Sequence, residues 1–102
     1  MGSLENKFHK EMLNIYIIAK KELKYNASRF LQLLSHEGGV KAAKQLISKD
    51  DGTYGFLILW KNKRLDLSVE TLVLKPEYHD LFTDIERERC GDRLKQYGYP
   101  VA

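Results

Sequence analysis

The chain has 102 residues, which is enough for one domain built around one hydrophobic core. Its apolar fraction of 43% is ordinary for a globular protein, and its charged fraction of 30% predicts a well-hydrated surface. No apolar run reaches the roughly 20 residues that span a bilayer, which excludes the pattern of an integral membrane protein. The single cysteine, Cys90, cannot form a disulfide within the chain, and this favours a reducing, cytoplasmic setting.

The charge is unevenly distributed along the chain. The net charge is 17 − 14 = +3. Residues 41–64 hold six Lys and Arg against two Asp and Glu, whereas residues 65–102 hold five against eight. A basic middle and an acidic C-terminal third predict charged partners. The start, Met1-Gly2-Ser3, resembles a vector-derived leader, and we expect the chain 1–102 to form a single helical domain.

Residues 4–24 predict a long first helix. Apolar side chains recur there at helical spacing on one face, namely Phe8, Met12, Ile15, Tyr16, Ala19 and Leu23. Leu13 and Ile17 widen that face, so we expect the helix to bury more than one side. Lys20, Lys21 and Lys24 cluster in its last turns, where cations complement the helix dipole.

A pair of helices with a glycine turn follows. Asn26 is suited to cap the N-terminus of a helix over residues 27–37. Gly38-Gly39 can end that helix, because glycine adopts a left-handed C-terminal cap at little cost. A third helix is predicted over residues 40–48. The pair has the dimensions of a helix-turn-helix.

Residues 54–74 allow two interpretations. The sequence GFLILWKNKRLDLSVETLVL packs aliphatic residues around a basic corner, Lys61-Asn62-Lys63-Arg64. Alternation after the corner favours a hairpin and hence an α+β fold, but the corner lacks the glycine that tight hairpins usually need. Ser68 can cap a helix instead. We therefore favour two helices, over residues 54–62 and 68–75, and keep the hairpin at 54–74 as the alternative.

The C-terminal third carries the clearest local signals. Pro76 can open a short helical turn. Thr83 and Glu86 match a capping box at the start of a helix that runs to about Tyr97 and is ended by Gly98. The sequence therefore predicts an all-α fold, a compact bundle of five to six short helices that includes the helix-turn-helix-like pair.

Several stretches together resemble a family of small bacterial proteins and appended domains that carry no assigned biochemical role. They are YNASRFLQLLSHEGGVKAAKQLI, GFLILWKNKRLDLSVETLVL, LFT and RLKQYGY, which follow one another over residues 25–99. Members of that family are associated with restriction and mobile-element genes. The resemblance implies a bacterial protein in a nucleic-acid-related or defence system, and it supplies no active-site residue.

The residue pattern argues against catalysis and against a bound cofactor. Zinc sites use paired ligands at short spacing, whereas His9, His36, His79 and Cys90 each stand alone in their segments. No glycine-rich phosphate loop with a following Lys-Ser or Lys-Thr is present in the sequence. Cys90 shares a helical face with apolar neighbours, which is typical of a core residue. We predict a non-enzyme with no cofactor and no metal.

The first functional hypothesis is a protein-interaction or assembly module, acting as a regulatory or accessory subunit. The first helix carries more apolar side chains than one small core needs, and large rings are effective interface anchors. The candidate interface residues are Met12, Ile15, Tyr16, Ile18 and Trp60. We expect a protein partner or self-association as a dimer, and no membrane.

The alternative is a small helix-turn-helix-like nucleic-acid-binding domain that uses the basic region 41–64. A polar stripe on the third helix would face the groove, and the nearby cations would contact phosphates. The candidate residues are Lys41, Lys44, Gln45, Ser48, Lys49, Lys61, Lys63 and Arg64.

Overall fold

The computed structural model describes residues 3–49 and 54–101, and within these residues the chain is helical, with no strand. The six α-helices are α1 (Ser3–Leu23), α2 (Ser28–Glu37), α3 (Gly39–Ile47), α4 (Tyr54–Lys61), α5 (Val69–Val73) and α6 (Asp84–Gln96). Two short 3-10 helices, Leu65–Leu67 and Pro76–Leu81, precede α5 and α6. The predicted all-α class is confirmed, although α1 is long rather than short. Met1 and Gly2 of the predicted leader lie outside the described residues.

The alternative hairpin at 54–74 is wrong, because the basic corner folds back onto α4. The amide of Lys63 donates to the carbonyl of Trp60 at 3.0 Å, and the amide of Arg64 donates to the carbonyl of Leu59 at 2.8 Å. These two bonds cap the C-terminal end of α4, so the basic corner is a helix end and not the turn of a hairpin. Ser68 caps α5, since its hydroxyl accepts from the amide of Thr71 at 3.2 Å.

The larger of two hydrophobic clusters joins α1, α2, α3, α5, α6 and the second 3-10 helix. Its buried members are Phe8, Met12, Leu34, Ala42, Ala43, Ile47, Val69, Leu72, Val73, Tyr78, Phe82 and Cys90. At its centre α1 and α3 cross closely, because Gly39 has no side chain at the contact. A Cβ built on Gly39 would lie 2.6 Å from the Cα of His9. The small side chains of α3 thus let this helix lie at the middle of the fold.

The smaller cluster holds α4 against the rest of the protein. It consists of Phe56, Leu59, Leu65, Leu67 and Leu94, and Ile18 and Leu23 of α1 pack against it. The ring of Tyr97 meets Phe56 edge-to-face, with 5.0 Å between the ring centroids. α4 is therefore fixed mainly by one apolar layer between the end of α1 and the end of α6.

Two expectations for the first helices are wrong. Leu13 and Ile17 do not widen the buried face of α1, because they are 36% and 50% exposed on its outer side. Asn26 does not cap α2, whose N-terminal cap position is Ala27 and carries no side-chain hydrogen bond. The side chain of Asn26 instead accepts from the hydroxyl of Tyr16 at 2.7 Å, and so ties the loop to α1.

The C-terminal helix follows its sequence signals. Thr83 and Glu86 form the predicted capping box at the start of α6. Gly98 ends the helix in a left-handed conformation with φ of 82°. None of the helices in the described ranges is both long enough and apolar enough to cross a membrane.

Candidate functional site

A cleft of about 730 Å³ opens between α1, α2 and α4. Its walls are apolar, and they include Ile15, Tyr16, Phe30, Leu33, Phe56 and Leu59. The first two come from α1, the next two from α2 and the last two from α4. The cleft exists because α4 packs on the smaller cluster and leaves a gap towards α2. Its volume lies in the range of about 300–1,000 Å³ that is usual for ligand sites.

One residue of the cleft lining, Glu70, belongs to a buried ion pair. The guanidinium of Arg93 donates from Nη1 to Oε2 of Glu70 at 2.7 Å, and both side chains are about 5% exposed or less. Nη2 of Arg93 also donates to the carbonyl of Ile47 at 3.3 Å and to that of Lys49. Burial raises the pKa of Glu70, and the hydrogen bond from Arg93 opposes that effect. The pair joins α5 and α6 and satisfies the end of α3.

The polar rim of the cleft carries positive charge. Arg29 and Lys49 line it and are exposed, and neither forms an ion pair among the residues the structure describes. Among the described residues of the lining, the one carboxylate is Glu70, and it is bound to Arg93. Tyr25 lies at the rim in ring contact with Tyr54, and burial together with Tyr54 raises its pKa. An apolar cleft with exposed cations at its edge is suited to an apolar group that carries negative charge.

The candidate interface residues separate into three groups. Met12 is fully buried in the larger cluster, so its place in the candidate interface is wrong: it faces inward and has no surface to offer. Ile15 and Tyr16 are half-buried in the wall of the cleft, whereas Ile18 packs against the smaller cluster. Trp60 is 42% exposed, and its indole Nε1 donates to the carbonyl of Tyr97 at 3.1 Å.

The polar stripe of α3 lies against α6. Nζ of Lys44 donates to Oε1 of Glu86 at 2.7 Å and lies 5.2 Å from the ring centroid of Phe82. The hydroxyl of Ser48 donates to the carbonyl of Gln45 at 2.7 Å, and the carbonyl of Ser48 accepts from Arg89 at 2.8 Å. Side chains of α6 thus occupy part of the face that a groove-reading helix would keep free.

The polar residues that stay exposed near α3 do not by themselves provide a free face for a nucleic-acid groove. Lys41, Gln45 and Lys49 stay exposed. They lie beside a lysine, Lys44, whose charge Glu86 neutralises.

The basic corner lies at a different end of the molecule. Arg64 binds Glu22 at 2.5 Å and Asp66 at 3.1 Å, whereas Lys61 and Lys63 are exposed. The Phe82 ring near Lys44 packs on Phe8, and Glu22 lies fourteen residues further along α1, which is about 21 Å of helix. The structure therefore brings Lys61, Lys63 and Arg64 together with the end of α1, and apart from the stripe of α3.

The residues with nucleophilic or metal-binding chemistry do not converge. Cys90 is fully buried, and burial, with the nearby charge of Glu70, raises the pKa of its thiol to about 12. This thiol stays protonated at neutral pH. In the described parts of the chain, no three His, Cys, Asp or Glu side chains are placed to hold a metal ion.

Sequence reasoning missed three residues that line the cleft, Arg29, Tyr54 and Glu70, and it missed Arg93, the buried partner of Glu70. Arg29 and Tyr54 were assigned no role beyond the helices that contain them. Glu70 and Arg93 are 23 residues apart, and no local sequence pattern predicts that these two charged side chains will be buried together. A carboxylate in an apolar run, as in LSVETLV, is the one signal that could have pointed to a buried ion pair.

Comparison of the chain with models of known families, with curated proteins and with solved structures finds no match.

Proposed function

We propose that this protein is a non-catalytic protein-interaction module, an accessory subunit whose cleft binds an apolar, acidic segment of a partner protein. The observation that carries the proposal is the open apolar cleft between α1, α2 and α4, whose rim cations, Arg29 and Lys49, pair with no carboxylate of the described residues. Burial of apolar surface would supply most of the affinity, and the rim charges would select the partner.

The spacing of the walls favours a helical segment. Ile15 and Ala19 lie one turn apart on α1, and Phe56 and Leu59 lie one turn apart on α4. Side chains at positions i, i+3 or i+4 and i+7 of a bound helix repeat at the same distance. The cleft would thus accept two or three consecutive anchors from one face of an amphipathic helix.

The charge of the rim predicts which helix is preferred. Arg29 stands at the N-terminal turn of α2, directly beside the apolar wall formed by Phe30 and Leu33. A carboxylate flanking the apolar anchors of the bound helix could pair with Arg29, whereas a lysine there would be repelled. Pairs of this kind at an interface rim contribute mainly to selectivity and to the association rate.

Two synthetic peptides test this proposal. Both carry the same Leu stripe at i, i+3 and i+7; one has Glu at the flanking positions and the other has Lys. Fluorescence anisotropy should show the acidic peptide binding about ten-fold or more tightly than the basic one. Arg29→Glu should reverse that preference, because the rim charge changes sign.

Lys95→Glu is the matched control. Lys95 is an exposed cation on α6 that does not line the cleft, so the same change of net charge there should leave the preference intact. If neither peptide binds up to millimolar concentration, or if both bind equally and Arg29→Glu has no effect, the cleft is not the docking site.

A further inference from the structure

An ion pair joins two cationic segments at one end of the molecule. Nη1 of Arg64 binds Oε1 of Glu22 at 2.5 Å, although the two residues are 42 positions apart. Glu22 lies in the last turn of α1, and Arg64 lies in the basic corner after α4. Arg64 also binds Asp66, and these two carboxylates raise the pKa of its guanidinium further. The pair therefore fixes the corner beside the end of α1.

This end of the molecule carries more charge than the whole chain. We define the cationic end as the six basic residues Lys20, Lys21, Lys24, Lys61, Lys63 and Arg64. The five lysines are exposed and form no ion pair within residues 3–49 and 54–101. Glu22 and Asp66 bind Arg64, so these eight residues together carry 6 − 2 = +4, compared with +3 for the chain.

At the cationic end, lysine occupies two backbone positions where glycine would be less strained. Among the described residues, two side-chain-bearing positions have positive φ, Lys24 at 57° and Lys63 at 59°. Both belong to the cationic end. A left-handed conformation is unfavourable for any residue with a Cβ, and strained positions concentrate at functional sites. A lysine at each strained position points to a use for its charge.

Exposed aromatic rings accompany the lysines. Tyr54 is 71% and Trp60 is 42% exposed, and both lie on α4. Trp60 directly precedes Lys61, and its edge is held by Tyr97, with the ring centroids 5.2 Å apart at 76°. A ring fixed in this way beside lysines combines the two elements of a stacking surface for nucleotide bases.

We propose that the cationic end binds single-stranded nucleic acid, with its lysines on the phosphates and Trp60 stacked on a base. The geometry favours a single strand over a duplex. Duplex readers insert a helix or ribbon into a groove, whereas this surface consists of two helix ends and a turn. A membrane surface is less suited, because Trp60 and Tyr54 are held by Tyr97 and Tyr25 rather than free to insert.

The test measures binding of a fluorescein-labelled dT12 oligonucleotide by anisotropy over 50–200 mM salt. Five phosphate contacts predict a slope of about −3.5 in log K against log salt, so affinity should fall roughly 100-fold over this range. Lys61→Gln plus Lys63→Gln should reduce the slope by about 1.4 and weaken binding about 25-fold at 0.1 M salt. Trp60→Ala should weaken binding about five-fold or more.

The control removes equal charge elsewhere. Lys41→Gln plus Lys95→Gln neutralises two exposed lysines, on α3 and α6, outside the cationic end. It should retain the slope and nearly all of the affinity. The proposal is overturned if this control loses as much affinity as the Lys61 and Lys63 variant. Tighter binding to a 12-base-pair duplex also overturns it, as does binding to anionic lipid vesicles without binding to dT12.

A second variant separates binding from folding. Lys24→Gly plus Lys63→Gly removes two charges and relieves two left-handed side-chain-bearing positions. We expect the melting temperature to rise by several degrees while dT12 binding weakens by about 25-fold. Because this variant should be more stable than the wild type, weaker binding cannot be attributed to unfolding. A variant that is more stable and still binds dT12 at full affinity would contradict the proposal.

Discussion

The C-terminal ends of α4 and α6 use the same hydrogen bonds but differ in one residue. At α6, the amides of Gly98 and Tyr99 donate to the carbonyls of Lys95 and Leu94 at 3.0 and 2.9 Å. At α4, the equivalent amides are those of Lys63 and Arg64. The left-handed position is the usual glycine in α6 and a lysine in α4. The α6 end therefore has the stable choice, whereas the α4 end keeps a charge at some cost in stability.

The surroundings of the two helices differ in the same way. α6 is anchored in the larger cluster by a capping box, by the buried pair of Glu70 and Arg93, and by Glu86 bound to Lys44. α4 rests on the smaller cluster, borders the open cleft and carries two exposed rings. Stability is concentrated on the α6 side, and the surfaces available for binding are concentrated on the α4 side.

Loss of the buried ion pair on the α6 side should destabilise the protein most. Glu70→Ala leaves the guanidinium of Arg93 buried without its carboxylate, which should lower the free energy of unfolding by about 3–5 kcal/mol. Urea denaturation followed by circular dichroism measures the change. The double variant Glu70→Ala, Arg93→Met should regain part of the loss, since it removes both charges but leaves the carbonyls of Ile47 and Lys49 without the Arg93 donor. A loss below about 1 kcal/mol in the single variant would show that water reaches Arg93.

The second effect concerns the crossing of α1 and α3 in the larger cluster. Gly39→Ala places a Cβ 2.6 Å from the Cα of His9, so the helices must separate, at a cost of about 1–3 kcal/mol. Gly91→Ala is the matched control. Its Cβ would meet only Val101 at 3.9 Å, and alanine within a helix should stabilise the protein by about 0.5–1 kcal/mol. Equal melting temperatures for the two variants would contradict the close crossing.

The helices and their ends could be predicted because their signals are local. Capping by Thr83, Ser68 and Gly98 depends on neighbours within a few positions, and each was found where expected. The faces were harder to predict. Leu13 and Ile17 follow helical periodicity as well as Phe8 does, but periodicity cannot say which side of a helix another helix will cover.

The candidate site could be predicted only in part. Ile15, Tyr16 and the basic corner at Lys61 and Lys63 were identified from composition and spacing, and the structure places them at the cleft and at the cationic end. The contact of Arg64 with Glu22 was not foreseen. It spans 42 positions, and such a contact depends on how the helices pack rather than on any short motif.

The charge of Glu86 should make the stability of the α6 side depend on pH. Burial opposes ionisation of Glu86, but the hydrogen bonds from Lys44 and Thr83 outweigh it and lower its pKa. A carboxylate whose pKa is lowered on folding stabilises the protein above about pH 4.5, and this contribution disappears as pH falls through the folded-state pKa. Glu86→Gln should therefore cost about 0.5–1 kcal/mol at pH 7 and much less at pH 3.

The difference between wild type and Glu86→Gln isolates this effect. Burial raises the pKa of Glu70, so its contribution to stability changes with pH in the opposite direction. Glu70 is present in both proteins, so this contribution cancels in the difference. Glu88→Gln, which removes an exposed carboxylate one turn from the α6 start, is the control for the loss of one negative charge on this helix. Urea midpoints at pH 3, 5 and 7 supply the measurement. A constant difference at all three values would show that the charge of Glu86 does not contribute.

The smallest expected effect tests the two helix ends directly. Lys63→Gly should raise the free energy of unfolding by up to about 1 kcal/mol, because glycine tolerates the left-handed conformation that lysine adopts there. Gly98→Lys should lower it by about 1 kcal/mol, since the same strain would enter the α6 end, where a Cβ has open space and no clash adds to it. Exchanging both residues tests whether the two changes add, because Trp60 and Tyr97 join the two helix ends, and any departure from the sum measures their coupling. If Lys63→Gly is instead destabilising, contacts at the α4 end stabilise the lysine. The α4 end then does not lose stability by keeping a charge in the left-handed position.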